Sequence, residues 1–412
     1  MLARVGSLER NVRLYPRYAG LFNGLFWLPV FFLYFLQRLP LQEVLLMESL
    51  YYGAVVLLEV PSGYVSDVLG RRAVLLMGAL SLVLAYGTFC LGTSFSALAV
   101  AQALLAVGVA FNSGSDTSFH YDSLTGLGRR EEFAAREAVV ARVSLVSGAV
   151  AALVGGVVGA FDLRLAYALS LVGAVLMVLH VIAFVEPAPQ RPDTARGFVH
   201  HLGACMGHLR NSSLRWLTLF AVLMTVLNHV PYELYQPYLR LVGKGSVLTD
   251  TGVPAVAGVH VFLTMLVGAW AAHRSVRLRD RIGLARTLLL CALVQVMIIA
   301  AIGAVLSLPV VGLVLLRGVP RGLMTAPLSA AVAPLVGDST RATFLSLQSL
   351  AGRLAFSGVL FALASFLPDG GAVDWPSVAL MARASTVLGV VGIVMLALSA
   401  GALSLPESEG EG

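Results

Sequence analysis

One apolar stretch of the chain contains two side chains that could bind and release a proton, and an amide that could hydrogen-bond to them. Asn112, Asp116 and His120 are spaced four residues apart, so on a helix they share one face. A charged side chain at membrane depth costs about 2.5–3.5 kcal/mol to insert, so each one needs a partner, a wet cavity or a function. Arg142 in the next apolar stretch is the expected partner of Asp116. A static salt bridge between these two residues is the alternative.

A second polar group lies in the segment NHVPYELYQPY. We expect Pro231 and Pro237, on either side of Glu233, to break the hydrogen-bond ladder of the helix, which is tolerated where the backbone lines a cavity or a gate. Asp116 is the stronger candidate for carrying a coupling proton, and Glu233 is the stronger candidate for contacting substrate. The residues predicted to take part in proton coupling are Asp116, Glu233, His120 and Arg142.

Arginines in two later apolar stretches indicate an anionic ligand. Arg317 and Arg321 are four residues apart on one predicted helix, and Arg353 lies in the next. A guanidinium can bind a carboxylate or phosphate through two parallel hydrogen bonds. A structural role for these arginines is the alternative. The predicted substrate-binding residues are Asn23, Trp27, Tyr51, Asn112, Asn228, His229, Tyr235, Gln236, Arg317, Arg321, Gln348 and Arg353.

These side chains must be positioned by membrane-spanning helices. Of the 412 residues, 58% are hydrophobic and only 12% are charged, whereas soluble domains carry about 25% charged residues. Twelve apolar stretches are long enough to cross a bilayer, which takes about 20 residues, and they lack the period-two pattern of barrel strands. The stretches lie near 17–38, 42–66, 72–93, 95–121, 136–160, 163–185, 214–239, 252–274, 284–306, 308–336, 340–367 and 376–404.

The basic residues predict the orientation of these helices. With the N-terminus inside, nineteen basic residues fall in inside segments and five in outside segments. This asymmetry follows the positive-inside rule, so both termini are predicted to be cytoplasmic. The same rule accounts for the net charge of +6, which therefore gives no indication of nucleic-acid binding.

One polar segment divides the chain into two halves. The sequence EPAPQRPDTARG, after Val185, contains three prolines and no apolar run, as is typical of a linker. GFVHHLGACMGHLRN follows, and its apolar residues share one helical face, which predicts a short helix in the membrane interface. The expected domains are a six-helix bundle over 1–185, a linker over 186–212, a second six-helix bundle over 213–404 and a tail over 405–412.

The charged loop between the second and third stretches has a counterpart in the second half. GYVSDVLGRR contains Asp67 and Gly70, and VRLRDRIGLAR contains Asp280 and Gly283 at the same spacing. The shared D-x-x-G falls at the same point of each half, which is consistent with a duplicated six-helix unit.

GYVSDVLGRR resembles the signature loop of the major facilitator superfamily, G-x-x-x-D-x-x-G-R-[RK]. The resemblance implies an all-α membrane protein with twelve transmembrane helices in two pseudo-symmetric six-helix bundles. It also implies that the loop is a gating latch, in which Asp67 faces the N-terminus of helix eleven and the arginines pair with an acid on helix four. The latch residues are then Gly63, Asp67, Gly70, Arg71, Arg72 and Asp122.

Two segments, LEVPSGYVSD and FNSGSDTSFHYDSL, look like bacterial efflux members of the family. This similarity implies a location in the bacterial cytoplasmic (inner) membrane. Two features depart from the family pattern. Gln102 lies near the position where many proton-coupled members carry an arginine, and the glycine-rich fifth helix lacks the proline of the antiporter motif.

Three functions remain open at this point. The first is proton-coupled export of a small amphipathic or anionic compound, and the second is uptake or facilitated diffusion of a small anionic metabolite. The third is a non-transporting membrane sensor or scaffold. No G-x-x-x-x-G-K-[ST] loop is present, so energy must come from an ion gradient or from the substrate's own gradient. The expected partners are a small-molecule substrate, protons and the lipid bilayer, with no nucleic acid. We expect a monomer that is not an enzyme, with no catalytic centre, metal site or cofactor.

Overall fold

The structure is helical throughout the part of the chain that it describes. The computed structural model describes residues 2–113, 115–187, 206–244, 252–332, 335–336, 341–367 and 373–402. No β-strand occurs among these residues, and eleven of their helical segments are long and apolar enough to cross a membrane. The predicted all-α membrane class is therefore confirmed.

The helices follow the predicted apolar stretches, except that the first, fourth and tenth stretches are each divided. The first half contains α1 (Leu2–Asn23), α2 (Phe31–Leu36), α3 (Leu41–Leu69), α4 (Arg71–Leu91), α5 (Phe95–Asn112), α6 (Ser115–Gly126), α7 (Phe133–Gly159) and α8 (Leu163–Ala183). The second half contains α9 (Ser212–Gly243), α10 (Val253–Ile282), α11 (Leu284–Ala304), α12 (Leu308–Val314), α13 (Gly318–Val332), α14 (Arg341–Ser365) and α15 (Trp375–Leu398). Most of the interfacial helix expected in the linker lies outside the described residues.

The chain forms two compact units. One unit comprises Met1–Pro192 together with Gly243–Phe262 and Leu360–Ala372. The other comprises the remaining segments, Asp193–Val242, Leu263–Val359 and Val373–Gly412. Helices α1 to α8 thus belong to the first unit, and most of the second half belongs to the second unit.

The first predicted helix is interrupted between α1 and α2. Pro29 has no backbone N–H, and its ring crowds the preceding turn, so the helix cannot run through this point. Helix α7 packs directly on the interrupted segment because it carries glycine there. A Cβ atom at Gly155 would overlap with the carbonyl oxygen of Phe26. The glycine-rich sequence of α7 therefore allows close packing against non-helical backbone.

Two further predicted helices are divided. Helix α5 ends at Asn112, Ser113 leaves the helical conformation, and α6 begins at Ser115. The tenth predicted helix consists of α12, a 3₁₀ turn over Leu315–Arg317, and α13. Pro320 explains the second division, because it cannot donate a hydrogen bond back to the preceding turn. Each of these two divided stretches, Phe95–Gly126 and Leu308–Val332, still counts as one candidate membrane span.

The seventh predicted helix, in contrast, is continuous, although Pro231 and Pro237 each remove one hydrogen bond from its ladder as expected. Both prolines lie inside α9. Pro231 frees the carbonyl group of Leu227, and the side-chain amide of Gln295 on α11 donates to that oxygen at 3.1 Å. The carbonyl group freed by Pro231 therefore has a hydrogen-bond donor within the protein, as a membrane-spanning helix requires.

The two D-x-x-G sequences form the same turn. Gly70 and Gly283 have φ angles of +97° and +86°, a left-handed region that residues with a Cβ resist. In both cases the glycine N–H donates to the helix before it, and the glycine carbonyl accepts from the helix after it. The sequence repeat therefore corresponds to a structural repeat at these two turns.

Replacing Gly155 with alanine should destabilise the first unit. The added methyl group would displace the Phe26 carbonyl group, and overpacking of this kind costs about 1–3 kcal/mol. The measurement is the Tm of the purified variant in detergent. Gly148→Ala is the matched control, since a Cβ atom there would meet the Asn23 carbonyl oxygen at an ordinary 3.4 Å. Equal Tm values for the two variants would contradict this packing.

Candidate functional site

The first unit contains a chain of hydrogen bonds that ends at Asp116. The hydroxyl group of Tyr18 donates to Oδ1 of Asn112 at 2.5 Å, and Nδ2 of Asn112 donates to Oδ2 of Asp116 at 3.2 Å. Oδ1 of Asp116 accepts from the backbone N–H of Thr117 at 2.6 Å. The division between α5 and α6 creates this arrangement, because a new helix N-terminus has free N–H groups that favour a carboxylate.

His120 lies close to this chain and has a partner that the sequence did not predict. Its side chain is 1% exposed, and its Nδ1 atom lies 2.6 Å from Oε1 of Glu137 on α7. The ring stacks on Tyr15, with 4.3 Å between centroids. Its Nε2 atom is buried and has no hydrogen-bond partner among the described residues. A buried polar atom left in this state is costly, so it marks a point where water or a ligand would bind.

Arg142 does not pair with Asp116. Its side chain is exposed, and it takes part in no ion pair within the described part of the chain. Arg142 follows Glu137 by five residues, which is about 140° around α7, so it leaves the face that reaches His120. A role for Arg142 in coupling stays a prediction.

The first unit also contains a buried acid, Glu48, and a separate group of aromatic side chains. Oε1 of Glu48 accepts a hydrogen bond of 2.7 Å from the side-chain amide of Gln102, and both side chains are buried. Trp27, from the interrupted segment, donates through Nε1 to the Tyr86 hydroxyl at 3.1 Å and stacks on Tyr167. Gln102, which departs from the family pattern, therefore serves as the hydrogen-bond donor to this acid.

Two other predicted residues of the first unit lie outside these groups. Asn23 donates through Nδ2 to the Ala19 carbonyl at 2.9 Å and to the Ser144 hydroxyl at 3.2 Å, which joins the end of α1 to α7. Tyr51 is half-buried, and its ring lies 5.2 Å from that of Tyr52. Asn23 thus has a packing role here.

The second unit contains a buried arginine on an aromatic ring. The guanidinium carbon of Arg317 lies 4.3 Å from the centroid of the Tyr235 ring, and the Tyr235 hydroxyl accepts from Nε2 of Gln236 at 2.9 Å. Arg317 is 8% exposed and Glu233 is 1% exposed. The 3₁₀ turn therefore places Arg317 on the ring of Tyr235, which follows the predicted carboxylate Glu233 by two residues on α9.

The remaining predicted residues of this unit have varied surroundings. Nδ1 of His229 lies 2.6 Å from the Thr225 carbonyl oxygen, and Nε2 of Gln348 donates to the Thr218 hydroxyl at 3.4 Å. Oδ1 of Asn228 is buried without a hydrogen-bond partner among the described residues. Arg321 is exposed and Arg353 is half-buried, so Arg321 does not share the buried setting of Arg317.

The signature loop makes one of the contacts that the resemblance implied. Nε of Arg71 lies 3.5 Å from Oδ2 of Asp122, while the Arg72 side chain donates instead to carbonyl groups at the end of α8. Gly70 makes the left-handed turn described above. The side chains of Gly63 and Asp67, and residues 338–340, lie outside the described part of the chain.

Glu186 binds this loop, although it was predicted to belong to the linker. Its two carboxylate oxygens accept the backbone N–H groups of Arg71 and Arg72 at 2.7 and 2.8 Å, at the start of α4. Asn11 fixes the preceding residue, since its side chain both donates to and accepts from the backbone of Val185. A single acid directly after a long apolar run was the only signal available in the sequence.

The comparisons with known proteins agree with this architecture. The sequence profile of the Major Facilitator Superfamily matches residues 18–357. The chain belongs to this superfamily. It is therefore an integral membrane transporter and not an enzyme.

Solved structures of superfamily transporters share the fold. The nucleoside transporter NupG matches with a TM-score of 0.76 and 14% identity, over 94% of this chain and 98% of that chain. A bacterial homologue of the human lysosomal transporter Spinster gives 0.68 and 15%, over 96% of each chain. A D-xylose–proton symporter gives 0.67 and 12%, over 97% and 99%. No curated protein matches the chain by sequence.

Glu186→Ala should destabilise the transporter by about 0.5–2 kcal/mol, the usual cost of losing a helix cap. The two N–H groups at the start of α4 would lose their acceptor. Thermal unfolding in detergent measures the effect. Glu186→Gln keeps one amide oxygen and should lose less, and Glu131→Ala, at an exposed position, should leave the Tm unchanged. If Glu186→Ala unfolds at the wild-type temperature, the carboxylate does not hold the loop.

Proposed function

We propose that this superfamily member is a proton-coupled secondary transporter that exports a small amphipathic or anionic compound from the bacterial cytoplasm. Two bundles would alternate access to a central site, which is the general mode of such transporters. The proposal assigns proton coupling to the first unit and anion binding to the second. It also assigns the protein to the inner membrane, with both termini cytoplasmic, and treats the monomer as the working form.

The hydrogen-bond chain from Tyr18 through Asn112 to Asp116 is the observation that carries the proposal. A coupling carboxylate must exchange protons, so it needs a half-buried position with neighbours that can rearrange. Asp116 is half-buried at a division between two helices. His120 lies one turn further along α6 and contacts Glu137 of α7, so this pair could accept the proton next. Glu233 is more deeply buried, which suits substrate contact better than rapid proton exchange.

The stacking of Arg317 on Tyr235 supports an anionic substrate. A guanidinium held over an aromatic ring keeps its N–H groups in a fixed plane, and this geometry suits a carboxylate or phosphate. Asn228 adds an amide oxygen that is buried and unsatisfied within the described residues. The substrate would therefore combine an anionic group with a hydrogen-bond donor.

Uptake or facilitated diffusion of a small anionic metabolite is the second candidate. The D-xylose–proton symporter shares the fold, and the same proton site could drive import. Export is preferred because the segments around the signature loop look like those of efflux members. Flux measured in proteoliposomes under an imposed pH gradient separates the two directions, and an absence of flux would favour a sensor or scaffold.

Asp116→Asn should leave substrate exchange intact while removing proton movement. Carboxylates, phosphate monoesters and nucleosides are first screened for thermal stabilisation of the wild-type protein, and a stabilising compound is taken forward. Proteoliposomes loaded with a pH-sensitive dye then report protons moved when that compound is added. The single oxygen of the neutral amide can still accept from one of the two donors, Asn112 or Thr117, but the amide cannot carry a proton.

Asp162→Asn is the matched control for this experiment, because Asp162 is exposed and lies in the loop before α8. It should move protons as the wild type does. Wild-type proton movement by Asp116→Asn would transfer the coupling role to Glu233.

Arg317→Gln should weaken binding of an anionic ligand by roughly 10- to 100-fold, the scale of one lost charge-assisted hydrogen bond. Tyr235→Leu removes the ring beneath the guanidinium and should weaken binding by about 3- to 30-fold, whereas Tyr235→Phe keeps the ring and should bind nearly as the wild type. Affinities are read from ligand-dependent Tm shifts. Arg164→Gln, at an exposed position of the first unit, controls for the loss of a charge. Wild-type affinity in Arg317→Gln would exclude the anion site.

A further inference from the structure

One face of helix α10 is apolar and exposed where the helix crosses the membrane. Leu263, Leu266 and Trp270 are 37%, 52% and 59% exposed. At about 100° per residue these three side chains lie within about 60° of one another. In a membrane protein, large apolar side chains on an outward helix face meet lipid chains.

The same face becomes basic immediately after Trp270. Arg274, Arg277 and Arg281, which we call the basic stripe, are all exposed. They follow Trp270 by four, seven and eleven residues, so they stay within about 40° of its direction. The apolar face and the basic stripe are therefore parts of one continuous surface.

The opposite side of α10 is packed within its own unit. Ala271 and Ser275 are buried, and they lie about 100–140° around the helix from Trp270. Gly268, about 200° away, contacts the backbone of Gly318 on α13 so closely that a Cβ atom would come within 3.1 Å of its carbonyl oxygen. The exposed surface therefore faces away from the packed helices of the second unit.

The basic stripe is not neutralised by acidic side chains within the described residues. The neighbouring Arg279 donates to Asp280 at 2.7 Å, but it lies about 180° from Trp270 and outside the stripe. The guanidinium carbon of Arg274 lies 4.0 Å from the centroid of the Trp270 ring. This stacking holds the first arginine of the stripe at the boundary between the apolar and basic parts.

We propose that Trp270 and the basic stripe bind the headgroup of an anionic phospholipid in the leaflet on this side of the membrane. Tryptophan is enriched where hydrocarbon meets headgroups. Arg274 lies about 6 Å further along the helix axis, within a headgroup layer that extends about 5–8 Å beyond the hydrocarbon core on each side. Arg277 and Arg281 follow at about 10 and 16 Å, and their long side chains lean back along the helix toward Trp270. Arginine forms paired hydrogen bonds with a phosphate group.

An anionic lipid matches both parts of the surface at once. Its acyl chains would cover Leu263 and Leu266, while its phosphate group would meet the arginines. A soluble anion would satisfy only the basic stripe, and a zwitterionic lipid would bring no net charge to it. The positive-inside distribution of this chain places the stripe on the expected cytoplasmic side, where anionic lipids concentrate.

The experiment compares phosphatidylglycerol with phosphatidylcholine of identical acyl chains on the full-length protein in detergent, by native mass spectrometry. The wild type should bind phosphatidylglycerol roughly 10- to 100-fold more tightly, given three arginines near the headgroup. Arg274→Gln, Arg277→Gln and Arg281→Gln combined should abolish the preference. Arg279→Gln, the matched control, should retain it. A preference that survives the triple substitution, or that Arg279→Gln removes equally, would overturn the proposal.

A second measurement avoids removing the charges. Phospholipids brominated on the acyl chains quench tryptophan fluorescence on contact, so the wild type should be quenched more by brominated phosphatidylglycerol than by brominated phosphatidylcholine. Trp270→Phe should lose that difference. Equal quenching of the wild type by both lipids would refute the site, as would displacement of phosphatidylglycerol by millimolar inorganic phosphate, which would identify a simple anion site instead.

Discussion

Backbone groups freed inside a transmembrane helix must find partners within the protein, because hydrocarbon offers none. This chain frees such groups in several helices and compensates each differently. Gln295 takes over the Leu227 carbonyl released by Pro231, so α9 remains whole. The segment before Pro29 is instead left non-helical and is covered by glycine-bearing α7. Candidate functional side chains lie at the points where the helices are divided.

The helix divisions coincide with the side chains that could perform transport. Trp27 lies in the division of the first predicted helix, Asp116 directly follows that of the fourth, and Arg317 ends the 3₁₀ turn of the tenth. A division exposes N–H or C=O groups and turns side chains away from regular helical spacing. Such positions suit side chains that must exchange a proton or hold an anion. In a regular helix the backbone N–H and C=O groups are already paired with each other, whereas at a division some of them can bind a side chain or a ligand.

Charge is divided between the two units. In the first unit Asp116 accepts a hydrogen bond from Asn112, and His120 lies 2.6 Å from Glu137. In the second unit a buried guanidinium stacks on a phenol. In the proposed scheme an acidic group of the first unit takes up a proton and a basic group of the second unit binds an anion. Because the two groups lie in different units, each can respond to its own ligand. Neither unit needs a nucleotide or a metal ion for this scheme.

The sequence by itself indicated that the chain lies in a membrane, predicted twelve membrane-spanning helices where the described residues contain eleven candidates, and indicated the family. Apolar length and basic asymmetry are local properties, and the signature loop from Gly63 to Arg72 is contiguous, so all three can be read without a structure. The pairing of Arg71 with Asp122 and the turn at Gly70 also followed from that loop.

Only the tertiary structure decided the partners of the buried groups. His120 pairs with Glu137, Asp116 does not pair with Arg142, and Glu186 belongs to the loop rather than to the linker. The physical reason is that a hydrogen bond depends on which faces of distant helices meet and on where a helix divides. Gln295, more than fifty residues from Pro231, kept α9 continuous, and no local pattern could have indicated it.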